Sequence, residues 1–332
     1  MSTRVSRIPM WVDCDPGHDD AMAIILAAYH PEINLLGIST VSGNQSVQKT
    51  TANAISMLES IGRTEIPVVM GASKPLLRFL QHDAEIHGES GLDGTKLLPK
   101  CNQELYEKSK QGKKAITVIY EAIMASSEPV SLIALGTLTN IALLVSVYPE
   151  VVKKVKVFSF MGGAISVGNR SAVAEFNIMC DPEAAQIVMN AGFEHMAMVP
   201  LDVTHTALVT PTVLEMIKSR VGKVNANFST MVCELLMFFR DSYKNTFGFN
   251  EGPPLHDPLA VFYVVAREAF EEKLMRVDVE CGEGMCAGQT VCDIWNYSAK
   301  PKNCYVTSKV DLEKFWNALV DSMAKAATVS PL

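Results

Sequence analysis

Positive charge is in deficit: 29 lysines and arginines stand against 36 acids, a net charge of −7. A polyanion finds no general attraction on such a chain, so no nucleic acid and no membrane surface is expected as partner, and a small polar molecule fits better. No apolar run approaches the ~18 residues of a membrane span. The opening MSTRVSRIPM lacks the apolar stretch of a secretion signal, and a cytoplasmic protein is expected. The eight cysteines include no CxxC pair. The densest group, Cys281, Cys286, Cys292 and Cys304, is irregularly spaced with no histidine nearby, which argues for reduced thiols packing as small apolar groups over a zinc site. No internal repeat is present.

What is present is a rhythm. Apolar stretches at 8–14, 33–41, 67–71, 130–135, 155–161 and 196–201 alternate with helix-like runs at 20–29, 46–61, 113–125, 138–147 and 181–190. The last run opens DPEAAQ, with Asp181 as cap and Pro182 at the first helical position. This alternation predicts an open, doubly wound, mostly parallel α/β sheet with helices on both faces. Ligands of such sheets bind beyond the carboxyl ends of the strands. Strand-like pieces at 273–281, 289–295 and 304–310 and a helix at 311–326 extend the same unit. Residues 72–112 and 218–254 break the rhythm and read as insertions over the site, within one domain spanning 1–332.

WVDCDPGHDDAMAIIL, residues 11–26, packs Asp13, Asp15, Asp19 and Asp20 between apolar segments. Like charges this close repel strongly unless compensated, and a hard divalent cation is the simplest compensation. Helix capping accounts for Asp19 and Asp20 but not for Asp13 and Asp15 as well. Pro16-Gly17 lets the backbone bend so that Asp15 and Asp20 converge, and oxygen-only ligands favour Ca²⁺ or Mg²⁺. Asp257 in GPPLHDPLAV precedes an apolar helix as the first group does, as a third carboxylate or as an N-cap before Pro258. In Glu175-Phe176-Asn177, alternation along an extended segment turns Glu175 and Asn177 to one side. Asn44, Asn169 and Asn177 are also turn or cap residues by type. In CELLMFFRDSYKNTFGF, Phe238 and Phe239 read as core and Tyr243 as a group at the site mouth that stacks on or donates to a ligand. IHGESGLDG reads as a lid.

DCDPGHDDAMAI, MGGAISVGNRSAVAEFNIMCDPEAA and GPPLHDPLAV together resemble the three signatures of the inosine-uridine preferring nucleoside hydrolases. IHGESGLDG and TVSGNQS are similar to further segments of that family, so the likeness spans most of residues 8–270, and fuller character resembles its fungal uridine ribohydrolases. The resemblance implies cleavage of the N-glycosidic bond of ribonucleosides, uridine or inosine favoured, to ribose and free base. It implies Ca²⁺ held by Asp15, Asp20, Asp257 and the Leu135 carbonyl, with Asp15 also the general base on a Ca²⁺-bound water. Asp19, Asn44, Asn169, Glu175 and Asn177 match residues that grip the ribose hydroxyls, and Met161 one that packs on the sugar. His87 and His256 match histidines facing the base, with His256 suited to protonate it as it leaves. A homo-oligomer, dimer or tetramer, is expected with it. Thr137 and Ser42 stand where the family commonly has Pro and Ala.

The implied chemistry is consistent: the C–N bond breaks with positive charge building on the ribose, in an oxocarbenium-like transition state that carboxylates and amide oxygens stabilise. Two rivals remain. Asp13-Cys14-Asp15 has the form of the start of a Mg²⁺-dependent haloacid-dehalogenase-type phosphatase, but Gly17 stands where Thr or Val is needed. The other is a nucleoside- or ribose-binding protein without turnover, against which the intact Asp15 and His256 argue.

Overall fold

The computed structural model describes residues 7–332. Ten strands occur among them: β1 (Ile8–Cys14), β2 (Ile33–Thr40), β3 (Val68–Met70), β4 (Val130–Ala134), β5 (Val155–Met161), β6 (Met196–Val199), β7 (Phe270–Met275), β8 (Val277–Val279), β9 (Thr290–Cys292) and β10 (Cys304–Val310). Eight form one sheet in the order β3-β2-β1-β4-β5-β6-β10-β7, parallel except where β7 pairs antiparallel with β10. Alternation along β1 turns Met10, Val12 and Cys14 into one apolar layer and Trp11 into the other, so both faces of the sheet are covered, as parallel sheets require. The Trp11 indole N–H, buried in the second layer, donates to Ser39 Oγ at 3.0 Å.

One layer holds the helices His18–Tyr29, Pro258–Val265 and Leu312–Ala327, and the other holds Ala115–Ala125, Thr139–Val147 and Pro182–Met189. The chain winds to one side of β1 through β2 and β3 and to the other from β4 onward. The crevice between the carboxyl ends of β1 and β4 is therefore the switch point at which open sheets bind ligands.

Two expectations about segments need correction. The stretch 273–281 is not one strand: β7 belongs to the main sheet, whereas β8 pairs with β9 in a separate ribbon. The Asn303 side chain, which accepts from Val277 N and donates to Val277 O at 2.8 Å each, takes the place of a strand partner and ends the β7–β10 ladder. Nor does all of 72–112 cover the site. Its helix Gln103–Lys110 packs beside β3 and the helix Val47–Ser60 at the sheet edge, and only its earlier half reaches the crevice. In the second stretch the long helix Ala226–Phe247 packs Phe239 and Tyr243 on Ile86, and Tyr243 lines the crevice.

Candidate active site

β1 ends at Cys14, and the next turn is built from its own acids. Asp20, in the first turn of the helix His18–Tyr29, accepts from the backbone N–H of Asp15 at 3.2 Å and of Gly17 at 2.9 Å. Asp15 Oδ2 accepts from the Asn44 backbone at 2.7 Å, and the Asn44 amide reaches Asp15 O at 3.2 Å and Asp20 Oδ2 at 3.3 Å. A Cβ on Gly43 would stand 2.0 Å, and one on Gly136 2.2 Å, from an oxygen of the Asp15 carboxylate, so both neighbouring loops need glycine there. Asp257 opens the helix Pro258–Val265 without any side-chain capping bond, so its carboxylate is not spent as a cap. Asp19, Asp20 and Asp257 each bring a buried oxygen within 4.8 Å of the others.

Asp15 Oδ1 and Asp19 Oδ1 are buried with no hydrogen-bond partner among the described residues. Burial, then the charge of Asp20, raises Asp15 well above the usual carboxylate range and lifts Asp19 to about 8. Burial and Asp19 raise Asp257 similarly, and burial raises Asp20. Unpartnered acceptors among mutually repelling acids fit a cation, and an all-oxygen donor set fits a hard one. Asp13 stands apart: Ser39 Oγ and the Asn140 amide donate to its Oδ1, burial pushes its pKa to about 7, and it does not line the cavity. Asp13 Oδ2, like Asp15 Oδ1 and Asp19 Oδ1, has no hydrogen-bond partner among the described residues, so protein donors compensate only one of its two oxygens.

Above the acids lies a tight, polar cavity of about 40 Å³. Asp19, Asn44, His87, Leu135, Met161, Asn169, Glu175, Asn177, Tyr243, His256 and Asp257 all line it. Asp15 and Asp20 do not, and Asn44 joins them to its wall. The Asn177 amide donates to the Leu135 carbonyl at 2.8 Å and approaches Met161 Sδ at 3.7 Å.

Glu175 and Asn177 do share the cavity, but not along an extended strand. Glu175 caps the short helix Phe176–Cys180, accepting from Asn177 N at 2.9 Å, Ile178 N at 3.2 Å and Gly163 N at 3.0 Å. Burial lifts its pKa to about 7 against these lowering bonds. Asn169 accepts from Phe176 N at 2.9 Å, so it serves the turn as well as the wall.

Both ring nitrogens of His256 are engaged, Nδ1 with Thr204 Oγ1 at 2.7 Å and Nε2 with Tyr243 Oη at 2.8 Å. Tyr243 is buried rather than placed at an open mouth. The IHGESGLDG loop is pinned by Gln45 Nε2 to Gly88 O (3.1 Å) and Asn53 Nδ2 to Ser90 O (3.0 Å).

Sequence reasoning missed Thr204, Phe176, and Asp83 with its partner Arg170. Asp83 lines the cavity, and Arg170 Nε donates to it at 3.1 Å while its guanidinium lies 5.1 Å from the Phe247 ring centre. Arg170 adjoins Asn169 and was findable; Asp83 carries no sequence signal.

The family model of the inosine-uridine preferring nucleoside hydrolases matches residues 10–317. A probable ribonucleoside hydrolase of Dictyostelium discoideum is 42% identical over 327 residues, covering 95% of this chain and 94% of that protein. An inosine-uridine preferring nucleoside hydrolase of Leishmania major is 40% identical over 321 residues, covering 95% and 96%. Among solved structures, a purine-preferring ribonucleoside hydrolase from Gardnerella vaginalis superposes with a TM-score of 0.86 at 27% identity, covering 97% of this chain and 99% of that one.

Proposed function

Starting from a chain that belongs to the inosine-uridine preferring nucleoside hydrolase family and is a ribonucleoside hydrolase, we propose that it releases free base and ribose from uridine and inosine in a Ca²⁺-dependent reaction with Asp15 as general base. The observation that carries this is the set of partnerless, buried carboxylate oxygens beneath a cavity walled by amides and acids. Asp15, Asp20, Asp257 and the Leu135 carbonyl would hold the ion. When bound, Ca²⁺ supplies the charge that steadies these acids, orients the ribose diol and makes a neighbouring water easier to deprotonate.

The chain's own residues do the rest. Asp15 takes the proton of the attacking water through the oxygen that has no protein donor. Asp19, Asn44, Asn169, Glu175 and Asn177 grip the ribose hydroxyls and place carboxylate and amide oxygens about the sugar as positive charge develops on it. Met161 packs against the ring. On the leaving side His256 acts through Tyr243, whose hydroxyl is hydrogen-bonded to it, while His87 faces the base.

The phosphatase reading finds no support: Gly17 stands where that pattern needs Thr or Val, and the family match over residues 10–317 is to nucleoside hydrolases. A homo-oligomer, dimer or tetramer, belongs to this proposal on the family likeness alone. So does a cytoplasmic setting, supported by the buried thiols of Cys14, Cys180, Cys233 and Cys304. Among the described residues no helix is long and apolar enough to cross a membrane. The test is a panel of nucleosides followed for free base and ribose: uridine and inosine should release both in equal amounts, and saturable binding without release would overturn the proposal.

A further inference from the structure

The ribbon of β8 and β9 pairs with no strand of the main sheet, and the scheme above leaves it without a task. Thr290, which opens β9, is buried and reaches Ala164 across 126 positions of sequence. Its Oγ1 accepts from Ala164 N at 2.9 Å and donates to Ala164 O at 2.6 Å. One hydroxyl thus serves both backbone groups of a residue that lies outside every strand. Ala164 is buried too, so without that hydroxyl both groups would be unpaired away from water.

Ala164 follows Gly162 and Gly163 in the turn that leaves β5. Leu201 N donates to Gly163 O at 3.0 Å, and Ile165 N donates to Asp202 Oδ2 at 2.7 Å, so the turn is tied down along its length. Gly163 has φ +73°, and a Cβ there would stand 2.7 Å from the Thr290 methyl, which is why the turn takes glycine beside Thr290. Thr290 clamps the peptides on either side of the Ala164 Cα, and the next peptide back carries the Gly163 N–H, which donates to Glu175 Oε2 at 3.0 Å. Of the three N–H groups that donate to Glu175, those of Asn177 and Ile178 belong to the helix it caps and travel with it. Gly163 N is the donor that comes from another element, so it ties the carboxylate to the end of β5. Oε1, with the Asn177 N–H as its protein donor among the described residues, keeps acceptor capacity for a ligand in the cavity that Glu175 lines.

We propose that Thr290 is a positioning residue for ribonucleoside cleavage. Through the Ala164 peptides it fixes the Gly163 N–H, and through that N–H the Glu175 carboxylate against the sugar, which gives the β8–β9 ribbon a part in the reaction. The inference rests on reading Glu175 as a group that grips the ribose.

The test is a double-mutant cycle on the full chain, assayed with uridine and Ca²⁺ below the melting temperature of every variant. Thr290→Val keeps the shape and removes the hydroxyl, and should lower kcat/KM roughly tenfold, the worth of about one hydrogen bond. Thr290→Ser keeps the hydroxyl and should retain the wild-type value. In a Glu175→Ala background Thr290→Val should change kcat/KM by under about twofold, because the group it positions is gone. The full tenfold loss in that background would make Thr290 a support of the fold alone and overturn the proposal, as would wild-type kcat/KM in Thr290→Val itself. Should Thr290→Val not fold, Thr290→Ala takes its place in the cycle. A second readout needs no turnover: amide hydrogen exchange should quicken at Gly163 in Thr290→Val and at Ala164 in Glu175→Ala, and unchanged exchange at Gly163 would overturn the proposal. Wild-type protein that released no base from any nucleoside would refute the nucleoside reading, while the exchange rates would still judge the coupling of Thr290 to Glu175.

Discussion

One oxygen of Asp15 accepts from the Asn44 backbone and the other has no partner, and that asymmetry suits a base held by one side and working with the other. Asp15→Asn retains an acceptor for Asn44 and removes the basic oxygen. Base release should fall by roughly 10²–10⁴-fold, the usual worth of general-base help, with the far-ultraviolet circular dichroism unchanged; wild-type kcat would contradict the assignment. The acids also set a pH dependence. Burial holds Asp13 and Glu175 up to about 7 and Asp19 up to about 8. A carboxyl whose folded pKa is raised binds its proton more tightly folded than unfolded. It costs nothing below the unfolded value of ~4, and stability falls as pH rises from there to the folded value. Chelated protein should therefore melt at lower temperature near pH 8 than near pH 5. Added Ca²⁺ should reverse the loss and release protons. A melting temperature that is flat across that range without metal would contradict the burial of these acids. Asp15 and Asp20 stood out in the sequence because acids between apolar runs are anomalous anywhere along a chain, whereas Asp257 read equally as an N-cap and was singled out by the resemblance. Thr204 and Asp83 were not legible, because their meaning lies in partners 52 and 87 positions away.

At the scale of elements, hydrophobic alternation located the six parallel strands β1 to β6, because a strand buried on both faces is a continuous apolar run. It misjudged Glu175-Phe176-Asn177. A five-residue helix is too short to show a period, and a glutamate cap is an uncommon start signal. The break between β7 and β8 was hidden as well, since it depends on Asn303 arriving from 26 residues away. The capping and sugar-gripping roles of Glu175 can be separated. Glu175→Gln keeps an acceptor on one side of the cap, for Asn177 N or for Ile178 N with Gly163 N, and turns an N–H₂ toward the other, so it should reduce kcat/KM and lose part of the cap's stability. Glu175→Ala should destabilise the fold by ~1 kcal/mol, the typical worth of a cap. Equal stability of the two variants would show that the acceptor Gln keeps contributes nothing. Gly136→Ala should act through the loop after β4, pushing the Asp15 carboxylate aside and weakening Ca²⁺ affinity in calorimetric titration. Unchanged affinity would show that the close approach is not needed.

For the whole molecule, one sheet draws strands from Ile8 to Val310, and its last strand, β10, lies between β6 and β7. We infer a single folding unit for the described chain. Calorimetry of the Ca²⁺-loaded protein should show one transition, whereas two separated transitions would divide it. The site depends on that unity, because residues from 15 to 257 meet at one crevice and no local segment could build it alone. The most direct measurement is a crystal structure of the protein grown with calcium and collected for anomalous scattering, alongside a uridine assay on the same preparation. One ion should appear with Asp15, Asp20, Asp257 and the Leu135 carbonyl at ~2.3–2.6 Å. An empty, splayed acidic cluster in protein that still hydrolyses uridine would contradict it.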